Sequence, residues 1–243
     1  MYRFAAYSAM AFATLIGGGS LLLFGGFILI GPVPIIRLDA SERQMLLWDG
    51  LLSMAFFVQH SVMVRASFRA WLSSLVPSRC HAPIYAIASG ITLTAVVLLW
   101  QTSPTVLFQF QGPLRWLPRA VSLLAIAGFI WGFRALALSD TFGWVPLMAR
   151  SRGTQLHPPA LVVRGPYLWL RHPLYFFTLV LIWSVPDMSS DRLLFNSLWT
   201  LWIIVASFLE ERDLVVAFGD EYRNYQKFVP MLLPWRGPAG RRL

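Results

Sequence analysis

Long apolar stretches separated by short polar loops dominate the hydrophobic pattern of the chain. No Asp, Glu, Lys or Arg interrupts the 33 positions between Arg3 and Arg37, or the 35 positions between Arg79 and Arg115. About 20 apolar residues are enough to cross the hydrocarbon core of a bilayer. We therefore expect an all-α fold, a polytopic integral membrane helical bundle of about six spans. The predicted segments are 4–29, 45–64, 83–101, 120–138, 173–185 and 193–209.

The last two segments differ from the others. At 1.5 Å per residue the fifth segment extends only about 20 Å, short of the hydrocarbon thickness of about 30 Å. A polar turn at 186–191 separates it from the sixth, so we expect a short C-terminal hairpin. We divide the chain into an N-terminal transmembrane bundle, residues 1–138, and a C-terminal region, residues 139–243. The second region contains a cytoplasmic loop, two spans and a helical tail.

Composition and charge support a membrane protein. The chain is 57% hydrophobic and 13% charged, with mean hydropathy +0.60, which excludes an ordinary soluble domain. The net charge of +9 suggests lipid head groups as partners, because no nucleic-acid-binding motif accompanies it. If both termini are cytoplasmic, inner regions hold fourteen basic residues and outer loops hold five, as the positive-inside rule requires. The first segment is too long for a cleavable signal and is interpreted as a retained span.

Candidate chemistry begins just before the fifth segment. Arg164-Gly165-Pro-Tyr167 and Arg171-His172-Pro173-Leu-Tyr175 form two close polar clusters there. Pro173 suits the first turn of a helix and disfavours a helical conformation at His172. A basic rim over free N–H groups at a helix start is suited to a carboxylate or phosphate. The alternative is that Arg171 only extends its charge to lipid head groups and that His172 is an incidental interfacial residue.

A second cluster follows the sixth apolar segment. One of Glu210 and Glu211 is expected to face the bundle, where it needs a cationic partner; the alternative is an acid pair that opens a solvated helix. Gly219 is expected to end one helix before another that carries Tyr222 and Tyr225 on one face. Such a pair is more often packing than function, although aromatic faces also bind cations.

Two polar residues of the second segment have smaller roles. We interpret His60 as a weak candidate for a substrate pocket and Asp49 as a helix cap. Neither a metal-binding cluster nor a nucleotide-binding loop is apparent in the sequence, so no metal is expected.

The order and spacing of the polar clusters resemble the isoprenylcysteine carboxyl methyltransferase superfamily over about residues 160–234. Residues 59–65, 76–77, 85 and 100 are similar to its bacterial methanethiol S-methyltransferase and NnrU-like branch. Phe177 departs from the pattern, because a glycine often stands there. The resemblance implies an enzyme of the bacterial inner membrane that uses S-adenosylmethionine and methylates a small lipophilic or thiol acceptor.

The resemblance also assigns roles. Arg171, His172 and Glu211 are the expected catalytic residues, and Tyr225 joins His60 as a weak substrate-pocket candidate. The expected cofactor-binding residues are Gly165, Tyr167, Arg171, His172, Pro173, Tyr175, Glu210, Glu211 and Tyr222. Three alternatives stay open: carboxyl methylation of a prenylcysteine-like or other lipophilic acceptor, an NADPH-dependent membrane reductase, and a non-catalytic NnrU-like membrane protein.

Overall fold

A computed structural model describes residues 2–136 and 161–240 of the chain. The described residues are mainly helical, with short 3-10 turns and one two-stranded sheet that pairs β1 with β2. The helices are α1 (Tyr2–Ile30), α2 (Glu42–Met63), α3 (Ala66–Ser73), α4 (His81–Leu99), α5 (Trp116–Leu136), α6 (Pro173–Trp183), α7 (Ser190–Phe218) and α8 (Asp220–Phe228), and the strands are β1 (Val106–Gln109) and β2 (Asp187–Ser189).

Five of the described helices are long and apolar enough to cross a membrane. They are α1, α2, α4, α5 with its preceding 3-10 turn, and α7, while the 11 residues of α6 make a shorter apolar helix. The predicted helical, polytopic membrane fold is confirmed, and the fifth predicted segment is short as expected. The protein is therefore a multi-pass membrane protein.

The described residues form two compact units, one of residues 2–105 and 189–195, the other of residues 106–136, 161–188 and 196–240. The predicted domain boundary at 138/139 lies outside the described residues and stays a prediction. In the first unit α1 packs against α4 so closely that a Cβ on Gly90 would lie 2.9 Å from Ile16 Cγ2. A glycine is required at this crossing because small residues let membrane helices approach each other.

The second unit contains the segments that carry the candidate chemistry. Its helices α5 and α6 also meet at glycine, since a Cβ on Gly128 would lie 2.2 Å from the ring of Phe177, and one on Gly132 would lie 2.9 Å from Leu174 Cδ2. The close contact fixes where α6 begins. The first residue of that helix, Pro173, lacks the N–H that an initial helical position leaves unpaired.

Two expectations about helix ends were wrong in detail. Asp49 does not cap α2, because the helix begins seven residues earlier at Glu42, and the N–H of Ser41 donates to Gln44 Oε1 (2.9 Å) in a capping box. The sixth segment ends later than predicted, because α7 continues through its polar residues to Phe218. The break at Gly219, which has φ of 58°, and the helix that follows it agree with the prediction.

Candidate functional site

In the second unit, Arg171 and His172 lie in a short corner segment between a 3-10 turn and a helix. The 3-10 turn Gly165–Leu168 precedes it, and Pro173 begins α6 directly after it. The main-chain N–H of Arg171 donates to Pro230 O (2.9 Å) and that of His172 donates to Met231 O (3.1 Å). These bonds anchor the backbone of both residues, and His172 has φ of −122° and ψ of 62°. Their side chains therefore project from a fixed backbone.

The Glu211 carboxylate organises the cluster. Its Oε1 accepts hydrogen bonds from Arg171 Nε (2.9 Å), His172 Nε2 (2.7 Å) and the Tyr222 hydroxyl (2.8 Å). Its Oε2 accepts from the side-chain amide of Gln226 (2.5 Å). The Glu211 side chain is 9% exposed, so the carboxylate is nearly buried and its charge is offset by this shell of donors. A carboxylate only accepts, which fixes the proton of the His172 ring on Nε2.

The second glutamate has a different environment. The side chain of Glu210 is 44% exposed, and its Oε2 lies 3.6 Å from His172 Nδ1. That oxygen is itself buried and has no hydrogen-bond partner among the described residues. The structure therefore makes Glu211 the saturated inner carboxylate and leaves Glu210 with an available acceptor beside it.

The two tyrosines of α8 pack beneath the segment that carries Arg171 and stabilise it by hydrogen bonds. Tyr222 and Tyr225 are buried, their ring centroids lie 5.7 Å apart, and they pack in a cluster with Val229. The Tyr225 hydroxyl donates to Tyr167 O (2.5 Å) and lies 3.3 Å from Leu170 O, just before Arg171. Burial raises the pKa of both hydroxyls, and at Tyr222 the hydrogen bond to Glu211 raises it further. Both groups stay protonated donors at neutral pH.

An open cavity of about 470 Å³ lies against this cluster. Two guanidinium groups and one carboxylate face it, which leaves it net positive. The amide side chain of Gln226 and apolar side chains cover the rest of the wall. The lining residues are Arg171, Phe208, Glu211, Arg212, Val215, Gln226 and Met231. Its volume lies in the range of small-molecule sites, which run from roughly 300 to 1,000 Å³.

Several of the residues predicted for the site lie together, and others do not. Tyr175 stacks on His172 with ring centroids 5.5 Å apart. Gly165 takes a φ of 59°, which indicates a backbone role. Tyr167 likewise contributes its carbonyl rather than its ring to a bond with Tyr225. His60 lies in the first unit, where both ring nitrogens are within 3.1 Å of the Tyr85 hydroxyl.

Besides the apolar lining residues Phe208 and Val215, sequence reasoning missed three contributors to the site. Gln226 binds Glu211 through its side chain and accepts from Arg171 Nη1 through its carbonyl (3.1 Å). Its position four residues after Tyr222 in one helix was the signal that would have found it. The other two are Arg212 and Met231, which line the cavity and had no comparable signal in the sequence.

Comparison with known proteins gives several methanethiol S-methyltransferases, and also Nurim of Mus musculus, which is 28% identical over 72% of this chain and 70% of that protein. The chain is 33% identical to methanethiol S-methyltransferase 1 of Bradyrhizobium diazoefficiens, over 82% of this chain and 70% of that protein. It is 36% identical to methanethiol S-methyltransferase of Pseudomonas deceptionensis, over 80% and 75%. Identity to the Mycobacterium tuberculosis protein of that name is 30%, over 91% of both chains. No protein-family model and no solved structure matches the chain.

Proposed function

Since the chain belongs to the methanethiol S-methyltransferase family, we propose that this methyltransferase transfers a methyl group to the sulfur of methanethiol and forms dimethyl sulfide. The observation that carries the proposal is the saturated Arg171–His172–Glu211 cluster beside a net positive cavity of about 470 Å³. Of the alternatives derived from the sequence, family membership favours methyl transfer over a reductase or a non-catalytic protein.

We infer that the methyl donor is S-adenosylmethionine, and the residues at the cavity fit it. When bound, this cofactor supplies a methyl group activated by a sulfonium cation. Arg171 and Arg212 would hold its carboxylate, since guanidinium groups pair with carboxylates in two-point geometry. Glu210 does not line the cavity, but it neighbours Glu211, which does, and its half-exposed carboxylate would accept from the ammonium group of the cofactor.

The protein's own contribution is alignment. Methyl transfer is an in-line displacement, in which a bond forms between the methyl carbon and the acceptor sulfur as the bond between that carbon and the donor sulfur breaks. Such a reaction requires orientation more than acid or base strength. Glu211 fixes the Arg171 and His172 side chains, and the bonds to Pro230 and Met231 fix their backbone. The net positive charge of the cavity lining would favour the thiolate form of an acceptor bound there. The thiol proton leaves to solvent.

The proposal is tested with protein purified in detergent, methyl-labelled S-adenosylmethionine and methanethiol. Labelled dimethyl sulfide is the expected product, and Arg171→Ala is expected to abolish it. Arg223→Ala is the matched control, because Arg223 is exposed and pairs only with Asp220 (3.0 Å) among the described residues. Absence of labelled product from the wild-type protein with methanethiol, under conditions where it melts cooperatively, would refute the proposed reaction.

We also propose that the protein lies in the bacterial inner membrane with both termini cytoplasmic, on the strength of fourteen inner against five outer basic residues. The lone cysteine offers a direct test, because Cys80 lies in the short segment between α3 and α4. A membrane-impermeant maleimide should label it only in inverted vesicles. A Thr102→Cys variant without Cys80 should be labelled only from the outside of intact cells. The reverse pattern would invert the topology.

A further inference from the structure

An acidic side chain in the first unit has an unsatisfied oxygen. Asp49 lies on α2 and is 0% exposed. Its Oδ1 accepts a hydrogen bond from the main-chain N–H of Gln101 (2.9 Å). Its Oδ2 is buried and has no hydrogen-bond partner in the part of the chain that the structure describes. A buried carboxylate oxygen without a partner is costly, particularly in a helix that crosses a membrane.

A second unsatisfied oxygen lies on the same helix face. Ser53 follows Asp49 by four residues, so the two side chains are neighbours one helical turn apart. Ser53 is also 0% exposed, and its hydroxyl has no partner among the described residues. A serine in a helix commonly donates to the carbonyl four residues before it, and this one does not. Both unsatisfied oxygens therefore belong to buried side chains on one face of α2, one helical turn apart.

No basic side chain balances the Asp49 charge. Among the residues described, no ion pair includes Asp49. The one basic side chain classed as buried in the described part of this unit, Arg192, instead donates to Phe27 O (3.3 Å) and Ile28 O (2.7 Å) at the end of α1. The position needs a positive charge that the described protein does not supply.

Another carboxylate increases the negative charge at this end of the unit. Asp191 accepts from Ser103 N (3.0 Å) and from Trp100 Nε1 (3.2 Å). It thus holds the same short segment, 100–103, whose Gln101 N–H is bonded to Asp49. The oxygens of Asp191 are used by these donors, so it contributes charge and not a free ligand.

We propose that Asp49 Oδ2 and Ser53 Oγ bind a sodium ion in the first unit. Carboxylate and hydroxyl oxygens are hard ligands suited to such a cation. A water molecule in the same place would satisfy the hydrogen bonds but would leave the carboxylate charge uncompensated. Two protein oxygens that carry a single negative charge suit a monovalent ion, whose remaining ligands would be water molecules. The ion would stabilise the packing of α2 against the segment that begins at Trp100, independently of the methyl-transfer site.

Thermal unfolding of the full-length protein in detergent tests the proposal. Choline chloride is replaced stepwise by sodium chloride at constant ionic strength, and potassium chloride is the selectivity control. Sodium at tenfold its dissociation constant should raise the melting temperature by about 3–6 °C, in a saturable manner. Asp49→Asn and Ser53→Ala should each remove this dependence. Asp39→Asn should retain it, because Asp39 is exposed and is the matched acidic control.

The outcomes are distinct. In choline, Asp49→Asn is expected to melt no lower than the wild type, because the amide removes an uncompensated charge. If Asp49→Asn fails to fold, Ser53→Ala alone decides the question. Equal melting of the wild type in sodium and choline would overturn the proposal in favour of a neutral carboxyl with a bound water. An equal shift in potassium, or an undiminished sodium shift in both variants, would overturn it as well.

Discussion

Replacing Glu211 with glutamine tests whether this carboxylate organises the site. The variant keeps the shape of the side chain and removes its charge. Three donors then meet a neutral oxygen, and each charge-assisted bond loses about half of its strength, about 1 kcal/mol apiece. The new amide also faces the amide of Gln226, which leaves a buried donor unpaired at a cost of about 1–3 kcal/mol. We expect a loss of about 4–6 kcal/mol in unfolding free energy.

The loss is measurable by thermal melting and by turnover. At about 2–4 °C per kcal/mol, the melting temperature should fall by roughly 8–24 °C. Turnover with methanethiol should fall by about 100-fold or more at temperatures where the variant is folded, because a displacement of about 1 Å in aligning groups has that effect. The matched variant Glu210→Gln alters a half-exposed side chain without a hydrogen bond in the described structure. It should melt within about 3 °C of the wild type and raise the KM for the methyl donor.

Two results would refute this reasoning. Equal melting temperatures and equal turnover for Glu211→Gln and the wild type would mean that the carboxylate does not organise Arg171 and His172. An equal fall in melting temperature for Glu210→Gln and Glu211→Gln would mean that the burial of Glu211 does not give its carboxylate a larger contribution to stability than that of Glu210. If Glu211→Gln cannot be purified, Tyr222→Phe removes one of the donors to the same oxygen and should lower the melting temperature by about 2–6 °C.

Three further predictions follow from the site. Gln226→Glu places a second carboxylate against Glu211 and should lower kcat at least tenfold. Gln226→Ala should lower kcat less. Equal kcat values for the two variants would contradict a positioning role for Gln226. Gly165→Ala forces a side chain into a positive φ and to 3.1 Å from Ala135 Cβ, so it should lower the unfolding free energy by about 1–3 kcal/mol in a melt. Because burial raises the pKa of Tyr222, its stabilising contribution is complete below about pH 10, the ordinary value, and declines as pH rises above it. Melts between pH 8 and 11 should show a smaller alkaline loss in Tyr222→Phe, and identical pH profiles would exclude this contribution.

Much of the fold could be predicted from the sequence because the relevant signals are local. Uninterrupted apolar runs fix the number of long helices, and Pro173 and Gly219 mark helix boundaries through their own backbone preferences. The cap assigned to Asp49 failed for a physical reason. The first turn of α2 is polar, so the apolar pattern in the sequence begins later than the helix itself. Asp49 lies close to the start of that pattern and was therefore mistaken for a residue at the start of the helix.

The internal connections of the site could not be predicted, because they join residues far apart in the chain. Nothing local in the sequence of Arg171 and His172 indicates that their N–H groups bond to Pro230 and Met231. The choice between the two adjacent glutamates depends on the rotation of α7 at that point. That rotation is set by a helix that continues well beyond the apolar run, so Glu211 turns inward while its neighbour remains half exposed.

The close contact between α5 and α6 has an evolutionary consequence. Phe177 stands where the related superfamily often has glycine, and the space for its ring is created by Gly128 on the facing helix. Neither position can therefore change alone without a clash or a void. In homologues with glycine at the first position, the second should carry a larger side chain. An alignment of the family should therefore show the two positions varying in opposite directions.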